Sequence, residues 1–453
     1  MTQPVESWTP DLAGRNRVKY LALVEAIAAA VAAGDLKPGD RLPTHRDLAW
    51  RLGVNTSTIT QAYREAARRH LVSGEVGRGT YVLADSAEAA LFALKAPGPG
   101  EGGAAHVVDL STNVPATDPE DTALADALAA LLADGEAAAL TAYHPPALLR
   151  RAAAAGAHWL AGRGLPVRPG DVVPCAGAQQ GLLAVLLALA GPGETVLVEA
   201  STFPGMKALA RQLRLKLHPL PMDGEGITPE GLEAACRQTA SRVAVLVPVL
   251  QNPTAATMGP ERRASVAEVA QRHGVTVVED DVYGGLTDTP PLAALLPAHG
   301  VVVTGLAKVA APGLRFGCIA GPPRLLEPVR AEVHATSWPA SPLMLSVACR
   351  WIEDGTAARR QAWQRAEIAE RRRLAERILG RTLAPAPHQW LAVSDDPADV
   401  AERARAVGVE VVPAPVFAVG RERPAAVRVS LTAARTRRDL AVGLERLAAV
   451  LAG

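Results

Sequence analysis

Cysteine is scarce: Cys175, Cys236, Cys318 and Cys349 lie far apart with no C-x-x-C spacing. Neither a zinc site nor a disulfide framework is expected, and a reducing compartment fits. No apolar run approaches the roughly 20 residues that cross a bilayer, the longest being 182–190. The first residues carry Glu6 and Asp11 and lack an apolar signal core, so a cytoplasmic location without membrane contact is expected. Overall charge is nearly absent too, at +1, which argues against a wholesale polyanion binder and sends the charge argument to individual segments. Lysine is the rarest cation. Only Lys19, Lys37, Lys95, Lys207, Lys216 and Lys308 occur beside 41 arginines, so a lysine in apolar surroundings asks for a reason.

What is present is ample core material. Hydrophobic residues make up 49% and charged residues 21% of 453 residues, which excludes general disorder and predicts two or three domains. Three blocks follow from the pattern. Residues 1–83 read as helix (20–33, stopped by Gly34), a turn-rich K-P-G-D-R-L-P connector, two short helices (44–52, closed by Gly53, and 55 or 56 to 69), then two strands around Gly74, Gly77 and Gly79. Residues 84–106 contain P-G-P-G-E-G-G and read as a linker. Such a coil of about 23 residues spans roughly 25–30 Å. Residues 107–453 alternate apolar runs (195–199, 213–217, 243–247, 275–279, 301–304, 316–320) with amphipathic helices, predicting an α/β body with a mostly parallel sheet covered on both faces. From about 331 onward, long Ala/Arg-rich helices and short strands near Trp390, Val409 and Val427 predict a smaller α+β lobe.

The first block has the order of a winged helix-turn-helix. Between residues 36 and 83, Lys37, Arg41, Arg46, Arg51, Arg64, Arg68, Arg69 and Arg78 face only Asp40, Asp47, Glu65 and Glu75. Local positive charge beside a slender helix suits DNA phosphates; a three-helix interaction module with solvated charges is the plainer alternative. The run G-D-L-K-P-G-D-R-L-P-T-H-R-D-L-A-W-R-L-G-V-N-T-S-T-I-T-Q-A-Y, followed by G-R-G-T-Y-V, resembles the GntR-type winged-helix domain. The resemblance implies double-stranded DNA contacts from Arg46, from Thr56, Ser57, Thr58 and Thr60 on the recognition helix, and from a wing at Arg78 and Gly79. Many relatives have an arginine where Thr56 and Ser57 stand.

In the third block, Lys308 follows the strand-like V-V-V-T-G. Arginine cannot form a Schiff base, whereas a desolvated lysine amine can; a lysine snorkelling from a strand end is the plain reading. Asp280 closes another apolar strand at the end where open α/β sheets bind ligands. Gly177-Ala178-Gln179-Gln180 opens an apolar helix, whose free N–H groups suit a phosphate. Gln251-Asn252-Pro253-Thr254 follows a further strand. In order and spacing these motifs resemble the fold-type I, class I/II aminotransferases. The resemblance implies pyridoxal 5′-phosphate bonded to Lys308, the catalytic residue, with Asp280 on the pyridine nitrogen and Asn252 and Tyr283 on the ring oxygen. It also implies Phe203 on the ring face, and Ala178, Gln179 and Arg315 on the phosphate. Arg428 would hold a substrate carboxylate, and Tyr143 would reach the phosphate of a neighbouring subunit. No metal is implied. The usual S-x-S before the lysine is replaced by Gly305, Leu306 and Ala307, leaving Thr304 as the nearby hydroxyl.

Head, linker and body together resemble the MocR-type (GabR-like) regulators. That implies a homodimeric transcription factor that senses the cofactor or an amino compound by exchange at Lys308, and the linker is long enough to make swapped DNA-binding domains the favoured arrangement. A working aminotransferase with a DNA-binding appendage, and a cofactor-free dimerisation body, are the competing readings.

Overall fold

The computed structural model describes residues 8–10, 19–33, 36, 40–68, 71–75, 79–82, 107–135, 140–141, 143–420 and 424–452. The chain divides into two compact units, Met1–Gly102 and Gly103–Gly453. The expected linker at 84–106 lies outside the described residues, as do Gly34, Lys37, Arg69, Gly77 and Arg78.

In the first unit, helix Lys19–Ala33 buries Leu23, Val24 and Ile27 against Ile59, Ala62 and Ala66. Helix His45–Leu52 begins where the Thr44 hydroxyl accepts the Asp47 N–H at 3.3 Å, and ends at Gly53, whose φ of 60° suits a residue without Cβ. Helix Thr56–Arg68 starts under Asn55, whose Oδ1 accepts the Ser57 N–H at 3.3 Å. The Tyr63 hydroxyl donates to the Pro43 carbonyl at 2.8 Å and so ties this helix to the connector. Strands Val72–Glu75 and Gly79–Val82 pair antiparallel. Helix, helix, helix and hairpin are the expected winged helix-turn-helix.

The second unit is built on a seven-stranded sheet ordered Val172–Cys175, Gly317–Ala320, Gly300–Gly305, Thr276–Asp280, Val243–Leu246, Thr195–Glu199 and Lys216–Leu220. Gly317–Ala320 runs antiparallel to both neighbours, and the other pairings are parallel. Most strand residues are buried on both faces, which is why their sequences are continuously apolar. The strand expected at 213–217 lies at Lys216–Leu220 instead. Helix Pro204–Leu213 takes the first residue of that run: Leu209, Ala210 and Leu213 pack on the large-lobe core, and Arg214 closes the helix at φ 58°. An alternating L-x-L pattern fitted both the helix end and a strand.

The expected small-lobe boundary near 331 also moves. Leu325, Leu326, Val329 and Val333 of helix Pro323–Thr336 share a core with Val301 and Val303 of the large sheet. Helix Pro342–Glu353 packs with Trp159 and Leu306. The small-lobe core instead joins Leu383, Leu391, Val427 and Leu444 to Val108 and Leu110 from the start of the unit. Its sheet is His388–Ala392, Ala426–Ser430 and Val412–Pro413, while Val108–Asp109 pairs with Val409–Glu410. Among the described residues no helix is long and apolar enough to cross a membrane.

Candidate functional site

Strand ends place the central groups. Lys308 sits in the turn after Gly300–Gly305, and its Nζ donates to the Asn113 carbonyl at 2.5 Å and stands 5.8 Å from the Tyr283 ring centre. Burial, with the Arg428 charge, lowers its amine from 10.5 to about 8; Asp280 pulls the other way. Asp280 ends its strand buried, with a 3.4 Å bond from the Val282 N–H, and burial raises it to about 7. The next residue, Asp281, is engaged: it takes the Arg163 guanidinium at 3.1 Å in a buried pair. Of two adjacent carboxylates, only Asp280 is left for a cationic ring nitrogen.

Tyr283 is buried, its hydroxyl accepts the Asn113 side-chain N–H at 3.0 Å, and burial pushes it up to about 12. Arg428 is buried in the middle of Ala426–Ser430. It donates to Asn252 Oδ1 at 2.8 Å and to the Ser111 carbonyl, and lies 4.8 Å from the Phe417 ring. Burial lowers it to about 10, and its Nε has no partner among the described residues. Lys308, Tyr283, Asn113, Pro387 and Thr432 line one small cavity.

A second cluster forms at the start of helix Ala178–Leu189. Gly177 precedes it at φ 81° with no side-chain cap, so the first helical N–H groups are open. The Arg315 guanidinium donates to the Ala176 carbonyl at 3.3 Å and covers Gly177, where a Cβ would stand 3.1 Å from it. One cation and one helix start therefore meet, which is the chemistry of an anion seat. The Gln179 side chain is spent on the Gly205 carbonyl at 3.0 Å, leaving its main chain for the anion. Phe203 stands against Gly205, half-buried on the large-lobe core.

Of the missing S-x-S, the first position acquires a physical reason. A Cβ on Gly305 would lie 2.4 Å from the Phe316 carbonyl oxygen, so the paired strands admit no side chain there. Thr304 does not compensate, because its hydroxyl donates to the Asp281 carbonyl at 3.1 Å. Tyr143 is 84% exposed with its ring 5.3 Å from Trp338.

In the head, Arg46, Thr56 and Ser57 are exposed and Thr58 is half-buried. The Thr60 hydroxyl is turned back, donating to the Thr56 carbonyl at 3.0 Å beside His45 Nδ1. Arg51 is paired with Asp47 at 2.8 Å. Arg78 lies outside the described residues, and Gly79 opens the second wing strand. Exposed Trp50 (84%) carries no signal in the helix pattern.

Sequence reasoning missed Ser111, Asn113, His388 and Phe417. His388 is fully buried, its Nε2 bonded to the Gln251 carbonyl at 2.8 Å and its ring 5.2 Å from Tyr283. Desolvation lowers it to about 3, so it is neutral. A histidine opening a short strand was the one available hint.

Residues 105–447 match the aminotransferase class I and II family. The chain belongs to that family. Residues 19–82 of this aminotransferase-family chain match the gntR family of bacterial regulatory proteins, so a GntR-type DNA-binding domain is joined to an aminotransferase-type body. The chain is similar to the HTH-type transcriptional regulator YdeF of Bacillus subtilis, at 28% identity over 97% of this chain and 95% of the relative. It is also similar to the HTH-type pyridoxine biosynthesis transcriptional regulator PdxR of Corynebacterium glutamicum, at 27% identity over 79% and 78%. The structure of an archaeal alanine:glyoxylate aminotransferase superposes with a TM-score of 0.71 at 21% identity, covering 77% of this chain and 91% of that one. That likeness concerns the fold. Pyridoxal 5′-phosphate is the cofactor of the family, and the residues present fit it: a buried amine, a buried carboxylate without a hydrogen-bonded cation among the described residues, and an open helix start under an arginine.

Proposed function

We propose that the protein is a DNA-binding transcriptional regulator whose body holds pyridoxal 5′-phosphate at Lys308 and responds to an amino compound. The convergence of Lys308, Asp280, Tyr283 and Arg428 on one buried region supports it above all. Bound there, the cofactor supplies an electrophilic carbon for which Lys308 and a primary amine compete. Asp280 would hold the ring nitrogen, Asn252 and Tyr283 the ring oxygen, Phe203 the ring face, and Ala178, Gln179 and Arg315 the phosphate. Arg428 would hold a ligand carboxylate, which a planar guanidinium does bidentately. Lys308, with its amine near neutrality, can give or take a proton once free.

Sensing is favoured over sustained turnover because Gly305 and Ala307 stand where the usual S-x-S would supply phosphate hydroxyls, and the Thr304 hydroxyl is spent on the Asp281 carbonyl. In the head, Arg46, Thr56, Ser57 and Thr58, with the wing at Arg78 and Gly79, would contact operator DNA, a task that belongs to the cytoplasm. The body would form a two-fold dimer with Tyr143 facing the partner's phosphate and the heads exchanged between partners. Borohydride reduction and peptide mass analysis should place a pyridoxyl group on Lys308, and an amino ligand should change both the visible spectrum and DNA affinity. A pyridoxyl group on Lys207 or Lys216 instead, or effector-dependent DNA binding that survives Lys308→Ala, would overturn the reading. Steady keto-acid production through many turnovers would establish the aminotransferase instead.

A further inference from the structure

Asn113 touches both reactive side chains of the site while belonging to neither sequence motif. Its carbonyl accepts Lys308 Nζ at 2.5 Å, and its Nδ2 donates to the Tyr283 oxygen at 3.0 Å. Its Oδ1 is buried and has no partner among the described residues. The segment that carries it is clamped on several sides: Ser111 and Val114 offer their carbonyls to Arg428 and Thr432, and Ala116 exchanges two bonds with the Gln364 amide. Asn113 is therefore held, not draped.

The direction of the Asn113–Tyr283 bond has a chemical consequence. A phenol oxygen that accepts an N–H has its own proton left to give. The same amide cannot take that proton, because it faces Tyr283 with Nδ2. The Tyr283 O–H is thus not given to Asn113, Tyr283 lines the cavity shared with Lys308, and the accepted bond polarises the O–H into a better donor. We propose that Asn113 is a positioning residue that aims the phenolic proton of Tyr283 at the oxygen of whatever ring is bonded to Lys308. This rests on the cofactor reading above, in which Tyr283 meets the ring oxygen.

A hydrogen bond given to that ring oxygen stabilises its negative charge and loosens the proton on the neighbouring Lys308 nitrogen. Weakening the bond should tighten that proton. The charged groups facing Lys308 and Tyr283 are Arg428, Asp280 and Arg315, with neutral His388 against the Tyr283 ring. Asn113→Ala changes none of them.

The test is a pH titration of the visible absorption band of the full-length, pyridoxal phosphate-loaded protein. Asn113→Ala should raise the midpoint by roughly half a pH unit, the worth of one modest hydrogen bond. Tyr283→Phe should raise it further, and Asn113→Ala added to Tyr283→Phe should do nothing more. Asn113→Ser, which keeps a small donor, should fall between wild type and Asn113→Ala, and it serves as the reading if the alanine variant folds poorly. An unmoved midpoint in both variants, or an equal shift with and without the Tyr283 hydroxyl, overturns the role of Asn113. Failure of the wild type to form a band on Lys308 would instead overturn the cofactor reading.

Discussion

Arg163 and Asp281 form a buried ion pair at 3.1 Å directly beside Asp280, whose own carboxylate has no cation in hydrogen-bond contact among the described residues. Two consecutive acids thus carry different duties. Asp281→Asn strands a buried guanidinium and should cost about 3–5 kcal/mol of stability, seen as a fall in melting temperature without cofactor. Asp280→Asn removes a buried acid that has no hydrogen-bonded cation, so it should cost no melting temperature and should raise it above about pH 7, while weakening pyridoxal phosphate binding in a spectroscopic titration. Equal melting losses in the two variants would contradict this division.

Gly305 faces the Phe316 carbonyl across the strand pair, with 2.4 Å available to a Cβ. Restoring the serine usual in aminotransferases by Gly305→Ser should therefore destabilise, by about 1–3 kcal/mol as overpacking does. Denaturant unfolding measures it. A serine accepted without loss, and a firmer hold on the phosphate, would show that the strands can part.

Glu199 is fully buried with Oε1 on the Val247 N–H at 2.7 Å. Burial raises it from 4.5 to about 8. The folded state then keeps a proton that the unfolded chain releases, so its contribution is full below pH 4.5 and is lost as pH rises through about 8. Buried Glu279 and Asp280, raised to about 8 and about 7, act in the same direction. Glu199→Gln should flatten part of the decline in melting temperature between pH 4.5 and about 8. A steeper decline in the variant would reverse the sign argued here.

Arg46 is exposed on helix His45–Leu52, whereas the Thr60 hydroxyl is bonded inside its own helix. Arg46→Ala should weaken binding to all DNA sequences and lower the salt slope by about 1. Thr60→Ala should leave base preference unchanged. Binding isotherms at two salt concentrations decide both.

Local chemistry made much of this protein readable in one dimension. Gly53 and Asn55 announce helix ends because capping is settled within a few residues. Continuous apolar runs announce strands buried on both faces, and Lys308 stands out because arginine is the habitual cation of the chain. The same local rules failed at 213–217, where one leucine pattern served two structures, and at the small-lobe boundary, where an apolar helix face does not say which sheet covers it. Only the tertiary structure decided the rest. It brings Asn113 to Tyr283 and Lys308 across 170 and 195 residues, and Ser111 to Arg428 across 317. It gives Asp281 rather than Asp280 to Arg163, and brings the Phe316 carbonyl close enough to forbid a side chain at 305. Such contacts depend on how sheets, helices and lobes close on one another, and desolvation arises only from that closure. A carboxylate at about 7 and a lysine amine at about 8 are ordinary side chains in the sequence and become unusual ones only when buried together.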